Sequence, residues 1–267
     1  MGSNEQEARA RAETFRQEHG LGILPVKDVF ELAHAATGVD VFSIEAGEEE
    51  HGLSMLDTDT GRQVVVVATT PHPMRQRTSV AHELGHLLRG DLDSPEPSTP
   101  GERTPAEICA DAFARHLLLP LEAVRAKLSD TRAASLADLS DLVQEYEVSP
   151  VLAAIQLRGA GRIDDATLGE FKRLSTRQLA LQFGWLNQYD ALAEASRTPR
   201  APQALMKRAV AGYQLGVLGI AELSAWYGQS EQNLRTELGD PPPGPVADDD
   251  WDIDAPLFPQ PDGNAPA

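Results

Sequence analysis

Cysteine is almost absent from this chain, with Cys109 alone among 267 residues. A single thiol cannot form an intrachain disulfide, and it cannot build a zinc cluster from several cysteines. The N-terminal residues MGSNEQEARARAETF are charged and lack the apolar segment of a secretory signal. A chain without disulfides or a signal is typical of a reducing compartment, so we predict a cytoplasmic protein.

Long apolar runs and positive charge are also scarce. No apolar stretch approaches the roughly 20 residues of a transmembrane helix, so the sequence predicts no membrane partner. Lys and Arg number 23 against 41 Asp and Glu, which gives a formal net charge of −18 at pH 7. Nucleic-acid surfaces need clustered Lys and Arg. We therefore expect no direct nucleic-acid partner.

Hydrophobic periodicity indicates both strands and helices in the first half of the chain. Residues 39–44 alternate apolar and polar side chains, as a strand does. Two apolar runs, 53–56 and 64–68, flank a segment rich in Asp, Thr and Gly, which predicts a β-hairpin. Residues 74–89 and 106–119 have the apolar spacing of helices.

These patterns divide the chain into three parts and predict an α+β fold class. In residues 1–128 we expect a small domain with a short antiparallel β-sheet packed on two helices. Residues 129–239 are helical throughout and form an all-α region. Residues 240–267 contain seven Asp, many Pro, and no Lys, Arg or Glu, which predicts a disordered acidic tail.

The chemistry is concentrated in the motif His82-Glu83-Leu84-Gly85-His86 on the first of the two helices. A helical turn takes 3.6 residues, so His82 and His86 project from one face and can grip one tetrahedral ion. Glu83 beside them can take a proton from a water molecule and pass it to a leaving group. The motif predicts a hydrolase site of the zincin type, with zinc favoured and manganese or iron suited as well.

An ordinary amphipathic helix with surface histidines is the alternative interpretation of this motif. The surrounding residues are apolar, however, which predicts partial burial of the helix. A buried imidazole must satisfy both of its nitrogens. A metal ligand role accounts for two such rings better than a surface role does.

A catalytic zinc site needs a third protein ligand. The third-histidine pattern requires Gly and His where this chain has Arg89 and Leu92, so that version fails. Glu107 on the following helix can complete the metal set. Asp111, four residues later on the same face, can accept a hydrogen bond from the far nitrogen of a ligating histidine.

Other roles stay open for several of these residues. Glu107 could instead be a carboxylate that interacts with the dipole at the N-terminus of its helix. Asp91 and Asp93 follow the motif helix as loop residues and are the alternative third ligands. Cys109 is expected to be a small buried side chain.

An oxyanion-stabilising residue is not identified by spacing alone. Four side chains are candidates, and each could equally be an ordinary surface or core residue. They are His51, His72, His116 and Tyr146.

Two segments resemble the ImmA/IrrE family of bacterial metallopeptidases. RTSVAHELGHLL, residues 77–88, is similar to the motif helix of that family, and EICADAFARHLLLP, residues 107–120, is similar to its ligand helix. The family pattern there is a Glu, then Ala-Asn or Ala-Asp, Phe-Ala, and a Leu-Leu-x-Pro ending. The matching covers residues 20–125, and it is loose in the helical region beyond.

The resemblance implies a zincin-like peptidase domain in which His82, His86 and Glu107 bind the metal and Glu83 is the general base. It also implies an intracellular endopeptidase that cleaves a helix–turn–helix repressor of the XRE type, and so switches on stress or mobile-element genes. The sequence contains no obvious repressor domain of its own. The substrate would therefore be a separate protein.

Two other functions are weighed against this one. A DNA-binding regulator could use helix–turn–helix-like segments at residues 136–157 or 217–238, but the helix at 150–157 contains no basic residue before Arg158. A metal-binding interaction protein without proteolytic activity would not need Glu83. We also consider that Trp251, Leu257 and Phe258 in the acidic tail dock on a basic partner.

Overall fold

A computed structural model of the chain describes residues 3–45, 52–57, 62–91, 104–128 and 132–241. The chain divides into two compact units, residues 1–205 and 206–267. None of the helices in the described ranges is long and apolar enough to cross a membrane.

The first unit contains ten helices and three strands among its described residues. It begins with α1 (Ser3–Glu18), α2 (Val29–Thr37), β1 (Asp40–Ile44), β2 (Gly52–Asp57), β3 (Arg62–Ala68), α3 (Pro73–Arg89), α4 (Pro105–Leu118) and α5 (Leu121–Lys127). It continues with α6 (Leu136–Tyr146), α7 (Pro150–Gly159), α8 (Asp165–Phe171), α9 (Thr176–Gln182) and α10 (Leu186–Arg197). A mostly helical unit with one small sheet agrees with the predicted α+β class.

The sheet has the strand order β1-β3-β2. β3 pairs with β2 in the antiparallel direction, with Gly52 opposite Val67, but it pairs with β1 in parallel, with Asp40 opposite Val64. The prediction of an antiparallel sheet is therefore wrong for β1, and the sheet is mixed. β3 carries the most apolar run and takes the central position, where both of its backbone edges are hydrogen-bonded.

Helix α1 contacts the two helices that carry the predicted site. One of its faces is buried, through Ala8, Ala12 and Phe15. Arg16 is also buried, and its guanidinium donates to the carbonyls of Gly22, Leu24 and Leu117. Arg11 donates to the carbonyl of Leu88 at 2.9 Å. The ends of α3 and α4 are thus tied to α1 by hydrogen bonds that satisfy terminal carbonyls.

A buried polar cluster joins α1, α4 and α7. His116 is only 2% exposed, and its Nε2 lies 2.9 Å from Glu5 Oε1. The amide of Gln156 donates to His116 Nδ1 at 3.2 Å, so Nε2 carries the proton that Glu5 accepts. Arg115 also donates to Glu5. Both nitrogens of His116 are therefore engaged in holding helices together.

The core of the first unit is continuous from Ala8 to Ala193. Trp185, at the start of α10, donates from its indole nitrogen to Ser140 Oγ in α6 at 2.9 Å. The predicted boundary between residues 128 and 129 falls inside this unit, because the later helices bury their apolar faces in the same core. The assignment of separate functions to residues 1–128, 129–239 and 240–267 stays a prediction.

The second unit contains the end of α11 (Gln203–Gln214), α12 (Ile220–Tyr227) and α13 (Glu231–Leu238). Their small core is formed by Ala209, Tyr213, Ile220, Leu223 and Leu234. Gly228 has a φ of 61°, a left-handed conformation that lets the chain turn sharply between α12 and α13. From residue 242 the predicted acidic tail lies outside the described residues.

The buried cluster around Glu5 predicts a pH dependence of stability. Hydrogen bonds from His116 and Arg115 lower the pKa of Glu5 from 4.5 to about 2. The ionised carboxylate therefore stabilises the folded chain above pH 4.5, and this contribution is lost as the pH falls towards 2. We expect Glu5→Gln to lower the free energy of unfolding by roughly 2 kcal/mol at pH 7, and by much less near pH 3.

Urea unfolding at the two pH values measures this difference. Glu7→Gln is the matched control, because Glu7 lies on the same helix with an exposed side chain. Its free energy of unfolding should change by no more than about 0.5 kcal/mol. A pH dependence that is the same in Glu5→Gln and in the wild type would contradict the assignment.

Candidate metal centre

Helix α3 supplies the two histidines of the candidate site. It begins at Pro73, whose missing N–H costs nothing at a helix start, and ends before Gly90. Leu84 is fully buried on its inner face, whereas His82 and His86 are partly exposed. The helix therefore holds both imidazoles at the edge of the core, where an ion and a substrate can reach them.

Helix α4 supplies the carboxylate. Thr104 caps this helix by accepting a hydrogen bond from the backbone N–H of Glu107 at 3.2 Å. The cap fixes Glu107 in the first turn, where its side chain is half-exposed and directed to the two histidines.

The two helices approach closely at Gly85. A Cβ at this position would lie 3.2 Å from the Cα of Ala110 and 3.2 Å from Cδ1 of Phe113. Glycine thus allows a separation of the helix backbones that a larger side chain would prevent. This approach places Glu107 within reach of His82 and His86.

The ligand atoms of His82, His86 and Glu107 converge. The two Nε2 atoms are 3.0 Å apart, His82 Nε2 lies 3.3 Å from Glu107 Oε2, and His86 Nε2 lies 3.4 Å from Glu107 Oε1. Ligands on a tetrahedral zinc ion, at about 2.0 Å from the metal, are separated by about 3.3 Å. The three side chains have the spacing of a metal site, and together they could hold one ion.

The hydrogen bonds on the far side of each ring set the protonation of the site. His82 Nδ1 lies 2.8 Å from Asp111 Oδ1, and His86 Nδ1 lies 2.9 Å from Asp91 Oδ1. A carboxylate only accepts, so each Nδ1 carries a proton, and in the neutral form of each ring Nε2 has the lone pair. The two Nε2 atoms and the Glu107 carboxylate lie within 3.4 Å of one another. A cation satisfies all of these groups, so the donor set fits a metal ion.

Glu83 lies between the two histidines in the sequence and is 9% exposed. It is one residue from His82 and three from His86, so it projects from the same side of the helix, displaced by about a quarter turn from His82. A buried carboxylate at this position lies beside the two candidate ligands in the helix and need not be a ligand itself.

The remaining candidates within the described residues do not join the cluster. His116 is buried in the contact with Glu5, and Tyr146 donates to the carbonyl of Ile23 at 3.0 Å. His72 precedes α3 and is about 15 Å along the helix axis from His82. Cys109 is buried, with Sγ 3.8 Å from the carbonyl of Asn4 in α1. His51 and Asp93 lie outside the described residues.

Asp91 is the residue whose place the sequence interpretation missed. It was expected to be a loop residue or an alternative ligand, but its carboxylate contacts His86 on the side away from Glu107. The signal was Gly90, because a glycine after a helix often turns the chain back over the last helical turn.

Comparison with protein families identifies part of this chain. Residues 34–158 match the family model described as the IrrE N-terminal-like domain, which is a peptidase family. The matched range contains α3 and α4, and it confirms the resemblance to the ImmA/IrrE family. A comparison with curated proteins found no match. The match supports a metallopeptidase-type function for residues 34–158, and a peptidase family implies a protein as the class of substrate.

The close approach at Gly85 predicts opposite outcomes for two glycine substitutions. Gly85→Val would push against Ala110 and Phe113, so we expect the free energy of unfolding to fall by roughly 1–3 kcal/mol. Metal affinity should also fall, because Glu107 moves with α4. Urea unfolding of the metal-free protein and chelator competition for zinc measure the two effects.

Gly169→Ala in α8 is the matched control, since a Cβ there meets nothing within 4 Å. Removing a helical glycine should raise the free energy of unfolding by roughly 0.5–1 kcal/mol and leave metal affinity unchanged. Wild-type stability and zinc affinity in Gly85→Val would show that the helices do not depend on this contact.

Proposed function

We propose that this chain is a zinc-dependent endopeptidase with a zincin-like site, and that it cleaves a helix–turn–helix repressor of the XRE type. The observation that carries the proposal is the convergence of His82, His86 and Glu107 beside Glu83, within a segment that matches a peptidase family. Zinc is favoured because two imidazoles and one carboxylate bind it more strongly than they bind manganese or ferrous iron.

The proposed mechanism assigns one task to each side chain. A bound zinc ion would act as a Lewis acid that makes a water molecule nucleophilic at neutral pH. Glu83 accepts a proton from that water as its oxygen attacks the carbonyl carbon of the scissile peptide bond. Glu83 then gives the proton to the departing amine nitrogen as the C–N bond breaks. Water is thereby divided between the new carboxyl and amino termini.

Asp111 supports this chemistry from α4. Its hydrogen bond to His82 Nδ1, at 2.8 Å, keeps the proton off the nitrogen that faces Glu107. A carboxylate behind a ligating histidine also raises the basicity of the ring. The same helix thus provides one ligand and the orienting partner of another.

Charge supports a DNA-binding protein as the substrate. The formal net charge of the chain is −18, whereas a repressor carries Lys and Arg where it contacts phosphates. Opposite charges accelerate the encounter of two proteins and favour their correct orientation. The family resemblance names such repressors, and it implies that cleavage occurs in the cytoplasm and releases stress or mobile-element genes.

A DNA-binding regulator is the second candidate, and the turn at Gly228 between α12 and α13 favours it. The exposed side of α13 offers little positive charge, however. Its basic side chain, Arg235, lies 3.0 Å from Asp240 and 3.8 Å from Glu231. Specific binding of the chain to a DNA duplex at physiological salt would support this candidate.

The decisive variant for the mechanism is Glu83→Gln. The amide cannot accept the proton from water, so we expect cleavage to slow by at least about 100-fold while one zinc ion per chain is retained. His82→Ala should lose both cleavage and zinc. The substrate for the assay is an XRE-type repressor encoded beside the gene for this chain, and the fragments are identified by mass spectrometry.

Glu170→Gln, an exposed glutamate in α8, is the control and should cleave at the wild-type rate. Retained cleavage in Glu83→Gln would refute the assigned role of this residue. Zinc binding without cleavage of any repressor encoded beside the gene would support the metal site and refute the proposed substrate.

A further inference from the structure

His86 is held from the end of its own helix, whereas His82 is held from a different helix. Asp91, two residues beyond the last residue of α3, places Oδ1 2.9 Å from His86 Nδ1. Asp111 reaches His82 from α4. The two rings of the candidate site are therefore each hydrogen-bonded to a different carboxylate. The contact between Asp91 and His86 does not depend on the packing of α3 against α4.

The local chain path explains how Asp91 reaches back to His86. Gly90 has a φ of 71°, and its N–H bonds to the carbonyls of His86 and Leu87 at 2.9 Å and 3.2 Å. This left-handed turn reverses the chain at the end of α3 and lays the next residue against the last turn. A glycine takes this conformation without strain. The position of Asp91 is therefore set by the local backbone at the end of α3.

The surroundings of the Asp91 carboxylate compensate its negative charge only in part. Its side chain is only 19% exposed. Oδ2 is buried and has no hydrogen-bond partner among the residues that the structure describes, although Arg89 Nε lies 3.1 Å away. A partly buried carboxylate with one unsatisfied oxygen is unfavourable unless nearby positive charge balances it. Arg89 supplies part of that charge, and an ion held by His86 would supply more.

We propose that Asp91 is a positioning residue of the metal centre, which holds the proton of His86 on Nδ1 and aims Nε2 at the site. The inference rests on the proposed zinc site. A neutral imidazole can carry its proton on either nitrogen, and only the form protonated at Nδ1 offers Nε2 as a ligand. Without Asp91, the His86 ring would also adopt the form protonated at Nε2 and other orientations. Both would have to be lost each time an ion binds.

Zinc affinity and the state of the His86 ring test this role. Zinc dissociation constants of the full-length wild type, Asp91→Ala and Asp91→Asn are measured by chelator competition. We expect Asp91→Ala to bind zinc roughly 10- to 100-fold more weakly. Asp91→Asn should be intermediate, because the amide oxygen still accepts from Nδ1 but carries no charge. The ¹⁵N spectrum of the zinc-loaded wild type should contain a protected Nδ1–H signal for His86 that Asp91→Ala loses.

Two controls separate positioning from a general effect on folding. Asp190→Ala removes an exposed aspartate that pairs with Arg177, and it should bind zinc as the wild type does. The metal-free Asp91→Ala protein should unfold at nearly the wild-type urea concentration. A loss of zinc affinity that only parallels a loss of metal-free stability would overturn the positioning role.

The outcomes distinguish this inference from the proposed function. Wild-type zinc affinity in Asp91→Ala, together with an unchanged Nδ1–H signal, would refute the role of Asp91 and leave the metal site standing. Equal zinc binding by the wild type and His82→Ala would refute the site itself, and the inference with it. Weaker binding in Asp91→Ala with partial recovery in Asp91→Asn would support both.

Discussion

The close packing of α3 against α4 at Gly85 is the contact on which the candidate site depends. Two histidines on one helix can offer two nitrogen atoms, but a third ligand has to come from elsewhere in the chain. The absence of a side chain at Gly85 lets Ala110 approach, and that approach brings Glu107 to the histidines. The geometry of the site is thus determined by a residue that carries no chemistry of its own.

Charge balance is the second organising principle of this unit. Glu107, Asp91 and Asp111 surround the two imidazoles, and a cation held by His82, His86 and Glu107 would balance part of their negative charge. Farther from the site, Arg16 on α1 donates to carbonyls that the ends of loops and helices leave unpaired, including that of Leu117 in α4. The buried guanidinium of Arg16 thus connects α1 to the end of α4.

The family match and the structure define different extents of this part of the chain. The match covers residues 34–158, whereas the compact unit runs to residue 205 and includes α1. Helix α1 lies before the match, yet it contacts the ends of both site helices through Arg11 and Arg16. The scaffold of the candidate site is therefore larger than the segment by which the family is identified.

Local pattern in the sequence was sufficient for everything that depends on helical spacing. The positions of His82, Glu83 and His86 on one helix, and of Glu107 and Asp111 on another, follow from the i, i+4 rule and the composition around them. Alternation of apolar and polar residues also predicted β1, and two apolar runs on either side of an Asp-, Thr- and Gly-rich turn predicted the hairpin of β2 and β3.

Tertiary structure alone decided which elements meet. The parallel pairing of β1 with β3 depends on which strand becomes central, and the sequence of β1 does not determine this. His116 was a possible oxyanion donor until Glu5, 111 positions away in the chain, was found against its ring. The contact of Glu107 with the histidines depends on helix packing at Gly85. Spacing along a chain determines the face on which a side chain lies, but only the packed core determines what it faces.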